Sequence, residues 1–109
     1  MKVTALQAQE ISHKLSIISE TWADDPDCHE RPTEEYEAAA CVAAKVSLIY
    51  PRGGALELDA AELELVKSEV ENLLDIARSN AAPADVDYDH IGAYISSMTN
   101  LIRKLEAIS

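Results

Sequence analysis

Residues 59–79, DAAELELVKSEVENLLDIARS, open on an aspartate with a glutamate three places on, then repeat apolar side chains at helical spacing. Asp59 and Glu62 form a capping-box pattern, in which each side chain can accept the other's backbone N–H where the first turn of a helix leaves donors unpaired. Leu63, Val66, Val70, Leu73 and Ala77 follow at steps of three and four, which lays them along one stripe of a 3.6-residue helix. Such a stripe has to be buried against something. No stretch of the chain alternates apolar and polar residues over a strand's length, so the covering elements are expected to be helices and no sheet is expected.

The same period extends to both sides. Downstream, Ile91, Tyr94 with Ile95, Met98, Leu101 with Ile102, Leu105 and Ile108 form a heptad-like seam that Asp87 or Asp89 can cap. Upstream, Ile11, Leu15, Ile18 and Trp22 recur at steps of four, three and four. A fourth segment follows Thr33, a candidate N-cap, and carries Glu34 and Glu35 where the helix dipole is positive. Three breaks separate the four segments: DDPDCHERPT at 24–33, PRGG at 51–54 and AAPADVD at 81–87. They hold all four prolines and two of the three glycines, the residues that interrupt helices. Gly53 or Gly54 is placed to take a left-handed conformation after the second helix. The pattern predicts an all-α, antiparallel up-down-up-down four-helix bundle, with helices over residues 4–23, 34–50, 60–80 and 88–108 in one domain spanning 1–109. With 48% hydrophobic residues among 109, the chain can build one core.

Charge narrows the partners. The chain carries 20 acidic and 9 basic residues, a formal net charge of -11. That balance argues against direct binding to nucleic acid or to an anionic membrane, both of which attract Lys and Arg. No apolar run reaches the roughly 18 residues that a membrane span requires, and no signal-peptide core is visible in MKVTALQAQEIS. Two cysteines are too few for a disulfide scaffold, so the expected location is the cytoplasm.

In the expected topology the first and third breaks share one end of the bundle. Glu20, Asp24, Asp25, Asp27, Glu30, Glu34, Glu35, Glu37, Asp75, Asp85, Asp87 and Asp89 gather there with only Arg31 and Arg78, so -10 of the -11 belongs to this end. Some of these acids serve helix N-termini, and acidic loops also aid solubility. Yet like charges repel, and an excess of this size points to a cationic partner. Trp22, Tyr36 and Tyr88 fall at the same end, either as a plug for the core or as faces for Lys and Arg.

Catalytic constellations are sparse. Asp24, Asp25, Asp27, Cys28, His29 and Glu30 contain every common ligand type, but without the spaced pairs of a zinc site. Asp85, Asp87 and Asp89 start like a calcium loop, and then His90 replaces its glycine and Ser96 its terminal glutamate. Glu34 and Glu37 match the E-x-x-E spacing of helical magnesium-dependent hydrolases, whereas Glu71 and Asp75 sit one residue too far apart to complete it. Cys41, among alanines, reads as a buried thiol, and His13 as a surface residue. No metal, cofactor or catalytic activity is expected.

The second helix is apolar nearly all round, since Lys45 is the only charge in the twelve residues after Glu37. Cys41, Val42, Val46, Leu48 and Ile49, with Leu6 and Ile17 on the first helix and Leu58 and Leu65 near the third, are therefore the expected interface of a homodimer. The leading functional expectation is a non-catalytic regulatory module that docks a basic protein through its acidic end. Alternatives are a decoy of the phage-encoded kind, imitating nucleic-acid phosphates to block a nucleic-acid-binding protein, and a carboxylate-based metal-dependent hydrolase.

Overall fold

The computed structural model describes residues 1–24, 32–79 and 88–108, with side chains in the last stretch from residue 92 onward. In chain order the elements are β1 (Lys2–Val3), α1 (Ala5–Asp24), α2 (Thr33–Ser47), β2 (Gly54–Ala55), α3 (Ala60–Ser79) and α4 (Tyr88–Ile108). The described residues form an all-α arrangement of four helices, as the periodicity implies. α1 packs most extensively on α2 and α3 on α4, and the α2–α3 contact joins the two pairs.

The starts of α1 and α3 are set by reciprocal caps. At α3, the Glu62 N–H donates to Asp59 Oδ1 at 2.8 Å and the Asp59 N–H to Glu62 Oε1 at 3.1 Å, completing the capping box. At α1 the Thr4 N–H donates to Gln7 Oε1 at 3.0 Å and the Gln7 N–H to Thr4 Oγ1 at 3.2 Å, a second box written in the sequence as T-x-x-Q. α2 starts differently. Pro32, with φ -58° and ψ 147°, occupies the cap position and no side chain caps the helix. Thr33 is already inside the first turn, so it is not the N-cap that its residue type suggested.

α2 also ends at Ser47, three residues short of the expected 50. Beyond it, Leu48 and Ile49 donate their N–H groups to the carbonyls of Lys45 and Val46 at 3.3 and 3.0 Å, and the tightened turn carries the chain into Pro51. Gly53 then takes φ +83°, and a Cβ on it would lie 2.5 Å from the Val3 carbonyl oxygen. Only glycine fits there. This close approach lets Lys2–Val3 pair antiparallel with Gly54–Ala55, a two-residue ladder where no sheet was expected. Leu56 N–H extends the contact to the Met1 carbonyl at 2.7 Å.

All four helices contribute to one core, including Ile11 and Leu15, Val42 and Val46, Val66 and Val70, and Met98, Leu101 and Leu105. Each large aliphatic side chain removed from water stabilises the fold by about 1.5–3 kcal/mol. Three residues expected at a dimer interface belong to this core. Val42 and Val46 are 0% exposed and Leu65 is 4% exposed within the single chain. α2 lies against both α1 and α3, which cover its Val42 and Val46 from within the molecule. Ile49 and Leu58 are half-buried against the same core, and Leu6 is half-buried. Cys41, Ile17 and Leu48 face outward, Leu48 at 85% exposure. Cys41 is therefore an exposed thiol, not the buried one its alanine-rich surroundings suggested.

Candidate functional site

The acidic end is built where α1 stops and α2 starts. Trp22, in the last turn of α1, stacks on Tyr36, in the first turns of α2, with ring centroids 5.7 Å apart and planes 11° from parallel. Tyr36 is 3% exposed, so its ring is core and presents no face to a partner; Trp22 is half-buried beside it. The pair plugs the junction. Around it Glu20, Asp24, Glu34 and Glu37 are exposed, and Glu35 is half-buried. Asp75 and Arg78 are exposed near the end of α3. Of the other residues expected here, Asp25, Asp27, Glu30, Asp85 and Asp87 lie outside the described residues, as do Cys28, His29 and Arg31. Tyr88 and Asp89 are placed only as the first backbone residues of α4.

Glu34 and Glu35 also face α3. With Ala38 from α2 and Ala61, Glu64, Leu65 and Ser68 from α3 they line an open groove of about 390 Å³. Its floor is small and apolar, and carboxylates stand on both walls. Glu64 is exposed, and reading the α3 stripe alone did not single it out.

Elsewhere the carboxylates have structural work. Glu62 is 2% exposed, and its Oε1 accepts from Lys45 Nζ at 2.7 Å as well as from the Asp59 N–H. Lys45 Nζ donates in addition to the Glu57 carbonyl at 3.1 Å. The hydrogen bond to Glu62 is the main cause of a Lys45 pKa raised above its usual value, and the Glu62 N–H is the main cause of an Asp59 pKa lowered below its own. Glu69, 5% exposed, lies 3.8 Å from Lys14 Nζ. Between α1 and α4, Gln7 Nε2 donates to the Ser97 carbonyl at 2.9 Å, Lys104 Nζ donates to Gln7 Oε1 at 3.0 Å, and Tyr94 donates its hydroxyl to Glu10 at 3.3 Å. Burial, followed by the charge of Glu10, pushes the Tyr94 phenol up to about 12.

The burial of Glu62 and Glu69 is not legible in the sequence, because a charge beside an apolar stripe ordinarily marks the solvated face. The available signal was their seven-residue spacing, two helical turns along the side of α3 that packs inward.

Among the described residues no group of three or more His, Cys, Asp or Glu side chains is arranged to hold a metal ion. Glu34, Glu37, Glu71 and Asp75 are all exposed, and His13 is exposed on α1. Among the described residues no helix is long and apolar enough to cross a membrane. Comparison of the chain with protein-family models, with curated proteins and with solved structures finds no match in any of the three.

Proposed function

We propose that the protein is a non-catalytic interaction module that docks a basic surface of a partner protein through its acidic end. One observation carries the reading: carboxylates are used differently in different parts of the fold. Asp59, Glu62, Glu69 and Glu10 each engage a backbone N–H, a lysine or a tyrosine of the same chain. Glu20, Asp24, Glu34 and Glu37 stand exposed around the Trp22–Tyr36 plug and make no ion pair among the described residues. Only Glu34 among these four sits in the first turn of α2, where the helix dipole favours an acid. Concentrated negative potential accelerates and orients encounter with a cationic surface, an effect that salt screens.

The test is affinity capture with the full chain at low and high ionic strength, with the captured proteins identified by mass spectrometry. A basic protein retained at low salt, released at high salt, and lost on replacing Glu34, Glu35 and Glu37 by lysine supports docking. Retention indifferent to both salt and charge reversal contradicts it.

A further inference from the structure

One buried side chain ties the start of α1 to α4. Gln7 is 1% exposed; its Oε1 accepts the Thr4 N–H and the Lys104 ammonium, each at 3.0 Å, and its Nε2 donates to the Ser97 carbonyl at 2.9 Å. We propose that Gln7 is a conformational latch, which makes the docking of α4 and the closure of the β1–β2 ladder one cooperative event.

Two donors meet the amide oxygen and a carbonyl meets the amide nitrogen, so the surroundings fix which way the amide faces. The two lone pairs of Oε1 are divided between two parts of the fold: one closes the α1 capping box, the other holds α4. A charged donor on the oxygen polarises the amide and strengthens the bond that Nε2 makes to Ser97, so the three bonds reinforce one another. Thr4 and Gln7 line an open cleft of about 590 Å³ together with Ser96, Ser97, Asn100 and Lys104 of α4. At this point α4 therefore meets the start of α1 through polar side chains beside an open space.

The latch is continuous with the ladder. Thr4 exchanges two hydrogen bonds with Gln7 and directly follows Lys2–Val3, which pair with Gly54–Ala55. Leu56 N–H extends that pairing to the Met1 carbonyl at 2.7 Å. A run of bonded groups thus leads from α4 through Gln7, Thr4 and Val3 to the connection between α2 and α3. Displacing α4 takes Lys104 and Ser97 from Gln7 and loosens the ladder. Fraying of the ladder turns Gln7 away and takes from Lys104 the hydrogen-bond acceptor it has there. The coupling is reciprocal, so whatever draws α4 away weakens the ladder by the same factor as ladder opening weakens the docking of α4. The α3 cap is a separate circuit of Asp59, Glu62 and Lys45 that shares no residue with Gln7, and it serves as the internal control.

The experiment is native-state amide hydrogen exchange of the full chain, read by NMR at the Gln7 and Leu56 N–H groups and at the Glu62 N–H. Lys104→Met is expected to speed exchange at Gln7 and Leu56 about tenfold, as loss of one charge-assisted hydrogen bond implies, while Glu62 keeps its rate. Lys104→Gln, which retains a donor, should speed it less. Once Gln7→Met has cut the connection, adding Lys104→Met should change the Leu56 rate by less than about twofold. Should Gln7→Met fail to fold by circular dichroism, the two Lys104 variants carry the test, and the retained donor must recover part of the change. Equal acceleration at Leu56 and Glu62 would show that Lys104 supports only the fold as a whole, and it overturns the latch. A Leu56 rate that Lys104→Met leaves unchanged overturns it as well.

Discussion

The end of the molecule where α1 and α3 start and the end where α1 stops and α2 starts are held by opposite means. At the first, two capping boxes, a two-residue ladder and the Lys45–Glu62 pair occupy the polar groups with one another. At the second, α2 begins on Pro32 without a side-chain cap, and the junction is closed by the stacked rings of Trp22 and Tyr36. Around this aromatic closure Glu20, Asp24, Glu34 and Glu37 make no ion pair among the described residues. A charge employed in the fold cannot be withdrawn cheaply for binding, whereas a charge left in solvent can be offered to a partner.

The largest break in this comparison is Lys45→Met. It takes the cation from the Glu62 carboxylate, 2% exposed, and because the Lys45 side chain is itself 42% exposed it should cost about 1–2 kcal/mol in urea unfolding. Adding Glu62→Gln should restore a large part of that loss, a coupling that a double-mutant cycle reads directly. If Lys45→Met alone is neutral, the pair does not hold this end.

That pair shows how far the sequence can be read. The Asp59–Glu62 box, the α3 and α4 seams and the left-handed Gly53 were legible, because each depends on neighbours within a turn or two. The end of α2 was not. Its last expected turn is replaced by a chain reversal that brings Gly53 against the Val3 carbonyl, a partner 50 residues away. Val42, Val46 and Leu65, expected at a homodimer surface, lie in the core of the single chain for a related reason: helical periodicity shows which sides are apolar but not which neighbour covers them. In the candidate site, the exposed Glu34 and Glu37 follow from position in the first turns of α2, while Tyr36 needed its Trp22 partner to be recognised as core.

Smaller effects sharpen the contrast. Trp22→Leu removes the stack and should destabilise by about 1 kcal/mol beyond the change in buried area. Thr4→Ala deletes one half of the α1 box and should cost about 1 kcal/mol, measurable as a lowered urea midpoint at constant slope. Two contacts inside the fold should also respond to pH, in different windows. Asp59 is held below its ordinary value of 3.8, so its charged cap contributes fully above that value and is lost as the pH falls through the lowered one. Tyr94 is held at about 12, so its hydroxyl contact with Glu10 is fully present below the usual 10.0 and lost as the pH rises through about 12. Phenolate absorbance should show a late-titrating component that Tyr94→Phe removes; if Tyr94→Phe leaves the titration curve at high pH unchanged in shape, the α1–α4 contact does not protect Tyr94.

Glu34→Lys with Glu37→Lys should change stability least, by within about 0.5 kcal/mol, because both side chains are solvent-exposed. The same variant gives the most direct measurement of the central claim, namely the ionic-strength dependence of binding to the captured basic partner, wild type against variant. For the wild type, affinity should fall steeply as salt rises; for the equally stable variant, the low-salt affinity and the salt slope should both collapse. Equal affinity and equal slope for the two proteins would contradict the assignment of docking to the acidic end.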